Sequence, residues 1–276
     1  MGARQKVSAC DGTCERLLAG RAWAPYPWPS VIQRMHPSVS ANGAARRSGS
    51  PKGSLLRFPV TCRQCCGIGR VFDQKEARKR LKRYRKKGPD KVTTLLIEAI
   101  SSHKDGDASL LDVGGGVGAV QLALLNHGVV RATSVEASLA YHAVAKEEAV
   151  RQGVTDRVTY LPGDFVDIAP QLVTHDIVTM DKVICCYPDA KELIHQAAQH
   201  SNHLVGLAYS HDNWLTRMVA AVANVLIQLR YRDFRGYIHA NSLVGGILTH
   251  HGFRQVHRAS TVIMQVTVWE KDRAVA

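Results

Sequence analysis

The sequence predicts an α/β fold: a doubly wound sheet, mostly parallel, closed by an antiparallel pair of strands at the C-terminal end. Three observations carry this. Short apolar runs alternate with helix-length segments from Leu110 to Leu229, the spacing of strand–helix–strand units. The first run, Leu110–Val113, ends in Gly114, Gly115, Gly116 and Gly118, where a buried strand turns sharply into a helix. The last two runs, Phe253–His257 and Val262–Glu270, follow each other with no helix between them, and the second is rich in β-branched residues.

The N-terminal part reads differently. Residues 1–57 hold Pro25, Pro27, Pro29 and Pro37 and a Ser/Ala/Gly/Arg-rich stretch from Ser38 to Ser54, so an unstructured basic extension is expected. Residues 58–102 form a Cys-containing segment followed by helices. Cys62 and Cys65 have the spacing of half a zinc site. A second half is missing unless Cys10, Cys14 or His36 supplies it, and no metal is predicted. Asp73 and Glu76 form a capping box before a basic helix, Gln74–Lys87, that Gly88-Pro89 ends. Leu81 and Tyr84 share one face of it. A helix from Lys91 to Ser102 buries Val92, Leu95, Leu96 and Ile100.

Residues 103–276 hold the alternating core. Strands are expected at 110–113, 130–135, 158–161, 175–180 and 203–209. Helices are expected at 119–126, 139–152, 191–199, 213–229 and 241–251. The apolar run Met218–Leu229 is twelve residues long. That is too short for a membrane span and is read as a buried helix.

The net charge of +13 is local. Residues 75–91 carry ten Lys/Arg against two acids, whereas residues 92–276 carry fifteen against eighteen. The core is therefore not a basic nucleic-acid surface, although the helix at 74–87 is able to contact phosphates. The odd count of seven cysteines has no disulfide-framework spacing, and with no secretory signal a cytoplasmic location is expected.

The candidate site follows from the glycines. They let backbone approach a ligand closely, and Glu136, at the end of the next apolar run, is placed to accept hydrogen bonds from ribose hydroxyls. A carboxylate at Asp112, just before the loop, suits a cationic amino group and would repel a pyrophosphate. The spacing Gly114-x-Gly116-x-x-Ala119 still permits a dinucleotide, so glycine spacing alone leaves that open. Asp181 and Lys182, in the loop after the fourth strand, lie where open sheets bind ligands. His211 and His239 stand among aromatics and arginines that suit an acceptor pocket, and either imidazole is able to take a proton. Cys185 and Cys186 are read as small packing residues.

Asp112-x-Gly114-x-Gly116-x-Gly118, Glu136, Gly163-Asp164-Phe165 and the terminal hairpin together resemble the class I S-adenosylmethionine-dependent methyltransferases, over about residues 73–276. The segment Asp181–Pro188 and the Arg/Tyr/His-rich C-terminal third are similar to bacterial magnesium-protoporphyrin O-methyltransferase-like proteins. The resemblance implies a Rossmann-like sheet and an enzyme that transfers a methyl group from S-adenosylmethionine to a small molecule, at oxygen or nitrogen. It implies cofactor binding by Asp112, Gly114, Gly116, Gly118, Glu136, Asp164 and Phe165, with Asp164 at the adenine and Phe165 on its ring. Asp181, Lys182, His211 and His239 are the catalytic candidates. By the same resemblance Tyr84 would lie over the site. The alternatives are an RNA methyltransferase using the helix at 74–87, or a non-catalytic binding module.

Overall fold

The computed structural model describes residues 63–232 and 234–272. The expected extension 1–57 and Cys62 lie outside them, as do the side chains of Cys65 and Cys66. In chain order the elements are α1 (Arg63–Val71), α2 (Gln74–Lys87), α3 (Lys91–His103), β1 (Ala108–Val113), α4 (Ala119–Asn126), β2 (Val129–Glu136), α5 (Leu139–Gln152) and β3 (Val158–Pro162). There follow α6 (Phe165–Ile168), β4 (His175–Asp181), α7 (Ala190–Gln199), β5 (Ser201–Ser210), α8 (Trp214–Arg230), α9 (Asn241–His250), β6 (Phe253–Ser260) and β7 (Met264–Lys271).

The strands form one sheet in the order β3-β2-β1-β4-β5-β7-β6. The pairings among β3, β2, β1, β4 and β5 are parallel. β7 runs antiparallel to both β5 and β6, which gives the predicted α/β architecture with its terminal hairpin. The chain winds outward from β1 to β3 and then returns to the other side of β1 as β4. Between β1 and β4 the strand order reverses, and a crevice opens at the carboxyl ends of the strands. Register places Asp112 beside Ser134 on β2 and Thr179 on β4.

Both faces of the sheet are covered. Leu111, Val113, Val178, Met180, Val205 and Leu207 pack under α7 and α9. Leu110, Ile177, Leu204, Ala208, Val266 and Val268 alternate with them and meet α3 and α4. A strand has a side-chain period of two, so two apolar faces produce the continuous apolar runs of the sequence. Gly206 lets α3 approach β5: a Cβ there would lie 2.6 Å from Ile100 Cδ1 and 3.0 Å from Leu96 Cδ1.

Three expectations are corrected. The buried face of α3 is rotated toward Leu96, Ile97, Ala99 and Ile100, with Val92 and Leu95 only half-buried. This is because the helix leans on Gly206 and β7. Asp73 does cap α2, accepting from Glu76 N at 2.8 Å, but the Glu76 carboxylate pairs forward with Arg80 Nε at 2.9 Å. The apolar helix α8 is not buried. Thr216 is its one buried residue, and most of its large apolar side chains face solvent.

Helix α2 is mounted on α5 by charge as well as by Ala77 and Leu81. Arg85 Nε meets Glu148 Oε2 at 2.8 Å and Arg85 Nη2 meets Glu147 Oε1 at 3.0 Å, with Arg78 also on Glu147. The Glu148 side chain is fully buried. Burial pushes its pKa up, but hydrogen bonds from Arg151, Gln152 and Arg85 overcome this and bring it down to about 2. A carboxyl depressed by folding stabilises the fold above its ordinary pKa and loses that contribution as pH falls toward 2. Glu148→Gln should cost about 2 kcal/mol at pH 7, between the values for exposed and buried pairs. In urea unfolding the gap between variant and wild type should shrink steadily as pH is lowered from 5 to 3.

Candidate active site

The site begins where β1 ends. Asp112 is 1% exposed, and Thr179 Oγ1 donates to its Oδ1 at 2.8 Å. Among the described residues Oδ2 has no hydrogen-bond partner. Burial pushes this carboxyl up to about 7, and the nearby charges of Asp181 and Glu136 add to the effect.

The glycine loop turns immediately after it. Gly114 has φ +67°, and a Cβ there would sit 2.4 Å from Val183 Cγ2. Gly114 N donates to Val135 O at 2.7 Å. Glu136 stitches the far side of the loop: its Oε2 accepts from Gly116 N at 2.9 Å and its Oε1 from Ser138 N at 2.8 Å. Burial raises its pKa, against those backbone donors. A carboxylate oxygen offers more than one lone pair, so Glu136 retains acceptor capacity toward the cavity it lines.

Past β3, Gly163 N donates to Glu136 O at 3.0 Å. Asp164 caps α6, its Oδ1 accepting from Val166 N at 3.0 Å and from the Tyr187 hydroxyl at 3.0 Å. Phe165 lies on the same wall, buried edge-on to His200 at 6.0 Å.

The opposite wall is a polar knot. Lys182 takes φ +63°, the one non-glycine residue with positive φ among the described residues, a conformation that costs free energy and concentrates at functional sites. Its Nζ donates to Asp90 Oδ2 at 2.9 Å, Thr93 Oγ1 at 2.7 Å and Asp181 Oδ2 at 3.1 Å. Thr93 Oγ1 in turn donates to Asp181 Oδ2 at 2.6 Å. Asp90 is the N-cap of α3, so the knot fastens that helix to the end of β4.

These groups surround one cavity. Asp112, Gly114, Gly116, Glu136, Asp164, Phe165, Asp181 and Lys182 all line it, and Tyr84, Arg80 and Arg83 reach it from α2. Gly118 lies just behind the wall at the start of α4. His211 and His239 are not brought to the cavity. His211 Nε2 contacts Thr261 O at 3.1 Å, and His239 Nε2 contacts Tyr187 O at 2.9 Å. Each ring is held by a backbone carbonyl, and neither is among the residues that line the cavity. Cys185 and Cys186 are half-buried in the turn after Lys182, with sulfurs 4.0 Å apart.

Sequence reasoning did not find Asp90, Thr93, Arg80, Tyr141 or Tyr187 as wall residues. Asp90, directly after Gly88-Pro89, had a recognisable N-cap signal. Tyr187 falls in the Asp181–Pro188 segment and Tyr141 five residues after Glu136, whereas Arg80 and Thr93 carried no signal, because α2 and α3 reach the site only by packing against residues distant in the chain, Thr93 on Asp181 for one.

Residues 111–201 match the methyltransferase domain family. Magnesium protoporphyrin IX methyltransferase from Synechocystis PCC 6803, solved with bound S-adenosylhomocysteine, aligns with 80% of this chain and 90% of its own at TM-score 0.54 and 16% identity. An O-methyltransferase family protein from Burkholderia thailandensis aligns with 66% of this chain and 55% of its own at TM-score 0.55 and 14% identity. At those identities the likeness is one of fold. No curated protein matches the chain in sequence. Residues 111–201 thus match a methyltransferase domain, and the fold around them is shared with a protein solved with bound S-adenosylhomocysteine.

Gly114 gives a direct check of the loop. Gly114→Ala combines left-handed backbone with a hard contact on Val183 and should lower stability by about 1–3 kcal/mol. Adding Val183→Ala removes the contact but not the backbone strain, so thermal unfolding of the double variant should recover part of that loss.

Proposed function

We propose that the chain is an S-adenosylmethionine-dependent methyltransferase acting on a small molecule, by in-line transfer to oxygen or nitrogen. The observation that carries this is the unpartnered Oδ2 of the buried Asp112, in a cavity whose glycine wall leaves room for a ligand beside it. A buried carboxylate oxygen without a donor is costly, and an ammonium group of the methionine moiety would supply the missing donor. Glu136 then receives the ribose hydroxyls, Asp164 the adenine amino group, and Phe165 the adenine ring. The helices between Arg63 and His103 act as the cover of this site.

The cofactor supplies a methyl group on a sulfonium whose leaving group is already good. The protein's part is alignment and exclusion of water. The Asp90–Lys182–Asp181–Thr93 knot fixes the wall between cofactor and acceptor, while Tyr84 and Phe72 close the cavity from above. Lys182 is held by two carboxylates and a hydroxyl, so it serves as a positioning residue and not as a base. Among the described residues no histidine lines the cavity. That favours an acceptor that needs no deprotonation, such as a carboxylate, for which Arg80 and Arg83 offer cationic partners. Bound S-adenosylmethionine would supply the methyl carbon to a carboxylate oxygen with loss of its carbon–sulfur bond, and no proton would have to move.

Calorimetric titration with S-adenosylhomocysteine tests the assignment. Asp112→Ala and Glu136→Ala should each weaken binding by about tenfold or more, the effect of losing one or two charge-assisted hydrogen bonds. His211→Ala and His239→Ala should leave it unchanged. Unaltered affinity in both acid variants would sink the reading.

The raised pKa of Asp112 adds a pH signature. Binding an ammonium group requires the ionised carboxylate, which is disfavoured in the free protein below about 7. Affinity should therefore rise as pH increases from 6 to 8, approaching about tenfold per pH unit at the acid end, and Asp112→Asn should abolish the trend. The ligand-free protein should respond in the opposite direction. A carboxyl whose pKa folding raises from 3.8 to about 7 subtracts stability as pH climbs between those values and keeps that penalty above them, so Asp112→Asn should unfold at a higher temperature than wild type at pH 8.

A further inference from the structure

Helix α8 is apolar where it should be polar. Trp214, Met218, Val222, Val225 and Leu229 are 74, 52, 59, 61 and 79% exposed. At 3.6 residues per turn these five fall within an arc of about 80°, and Leu226 and Val219, also exposed, widen the stripe on one side. The helix contains no Asp or Glu. Arg217 and Arg230 lie exposed at the borders of the stripe.

The neighbouring surface is strongly basic. The C-terminal end of α8 approaches the N-terminal end of α2: Arg230 is close enough to Asp73 to feel its charge, and Phe234 packs edge-on to Phe72 at 5.6 Å. α2 carries nine Lys/Arg and one Glu. Lys75, Lys82, Lys86 and Lys87 are exposed and make no ion pair among the described residues. An apolar stripe bordered by arginine and adjoining a cationic helix has the character of a surface that lies in a bilayer interface. Such a lysine row repels a second copy of itself and is attracted to anionic headgroups.

We propose that α8, assisted by α2, docks this protein on the surface of an anionic phospholipid membrane. No helix among the described residues is long and apolar enough to cross one, so the contact is interfacial. The placement has a use. Asn224 of α8 brackets Gly236 through bonds of 2.9 and 2.7 Å, and the strap continues through Tyr237 N to Cys185 O at 2.7 Å and His239 to Tyr187. Tyr187 lines the cavity. A docked α8 therefore sits one short strap from the acceptor side of the site, where a lipid-soluble acceptor would arrive. The docking itself is independent of the proposed methyl transfer.

The test is co-sedimentation of the full chain, without cofactor, with vesicles of phosphatidylcholine or of phosphatidylcholine mixed with phosphatidylglycerol. Binding is expected to the mixed vesicles and to weaken with salt. Val222→Glu/Val225→Glu should reduce it about tenfold or more, with circular dichroism and melting temperature confirming the fold. Lys82→Glu/Lys86→Glu should weaken it to a lesser degree. Equal binding to both vesicle types, binding unmoved by the α8 double variant, or no binding would overturn the proposal. So would a dimer in sedimentation velocity that the α8 variant dissociates, which would assign the stripe to a second copy.

Discussion

The structure is arranged around a carboxylate sealed between parallel strands. Asp112 sits at the point where strand order reverses, with Thr179 across the β1–β4 seam as its hydrogen-bond partner. Its second oxygen has no partner among the described residues, and burial holds it near neutrality. A fold optimised only for stability would place an apolar residue there, as it does at Leu110 and Leu111 on the same strand. Retaining the acid makes sense when a ligand completes its hydrogen bonding, and this is the usual conflict between a stable core and a working site.

The glycine loop and the polar knot follow from that placement. The chain has to leave β1 without covering Asp112, so Gly114 bends into left-handed backbone directly against Val183. Val183 itself follows Lys182, whose own positive φ turns the β4 loop back toward the cavity. A glycine turn and a strained turn at Lys182 thus lean on each other across the crevice. The ion and hydroxyl partners of Lys182, drawn from α3, hold the second turn in place. The strain at one wall is therefore supported by a helix that begins more than 90 residues earlier in the chain, and the cover and floor of the cavity form one mechanical unit.

How much of this was legible in the sequence depends on the range of the interaction responsible. Strand and helix limits were readable to within a few residues because their signals are local: Asp90, Ser138, Asp189 and Asn213 accept backbone donors at helix starts, and Gly153 ends α5. That the glycine loop, Asp112, Glu136 and Asp164 would meet at one cavity was readable because a strand end fixes where such residues point. His211 and His239, by contrast, are not among the residues that line it. A histidine in an aromatic, arginine-rich stretch has the right chemistry, but carbonyls from β6–β7 and from the β4 loop capture the two rings. Nothing within a few residues of either histidine announces those partners.

Helix α8 failed for a different reason, and the failure is informative. Apolar period alone identifies the face that avoids water, not the phase that supplies the alternative to it. In α3 the same kind of pattern meets Gly206, which clears space for Leu96 and Ile100. In α8 the sheet is already covered by α7 and α9, so among the described residues the helix fully buries only Thr216 and is tied to the 236–239 strap through Asn224. Its apolar stripe is left over once the core is full. Apolar area of that size on one exposed helix is unfavourable in water unless something covers it. The arginines at its borders and the lysines of α2 select, among apolar coverings, one that carries negative charge at its surface.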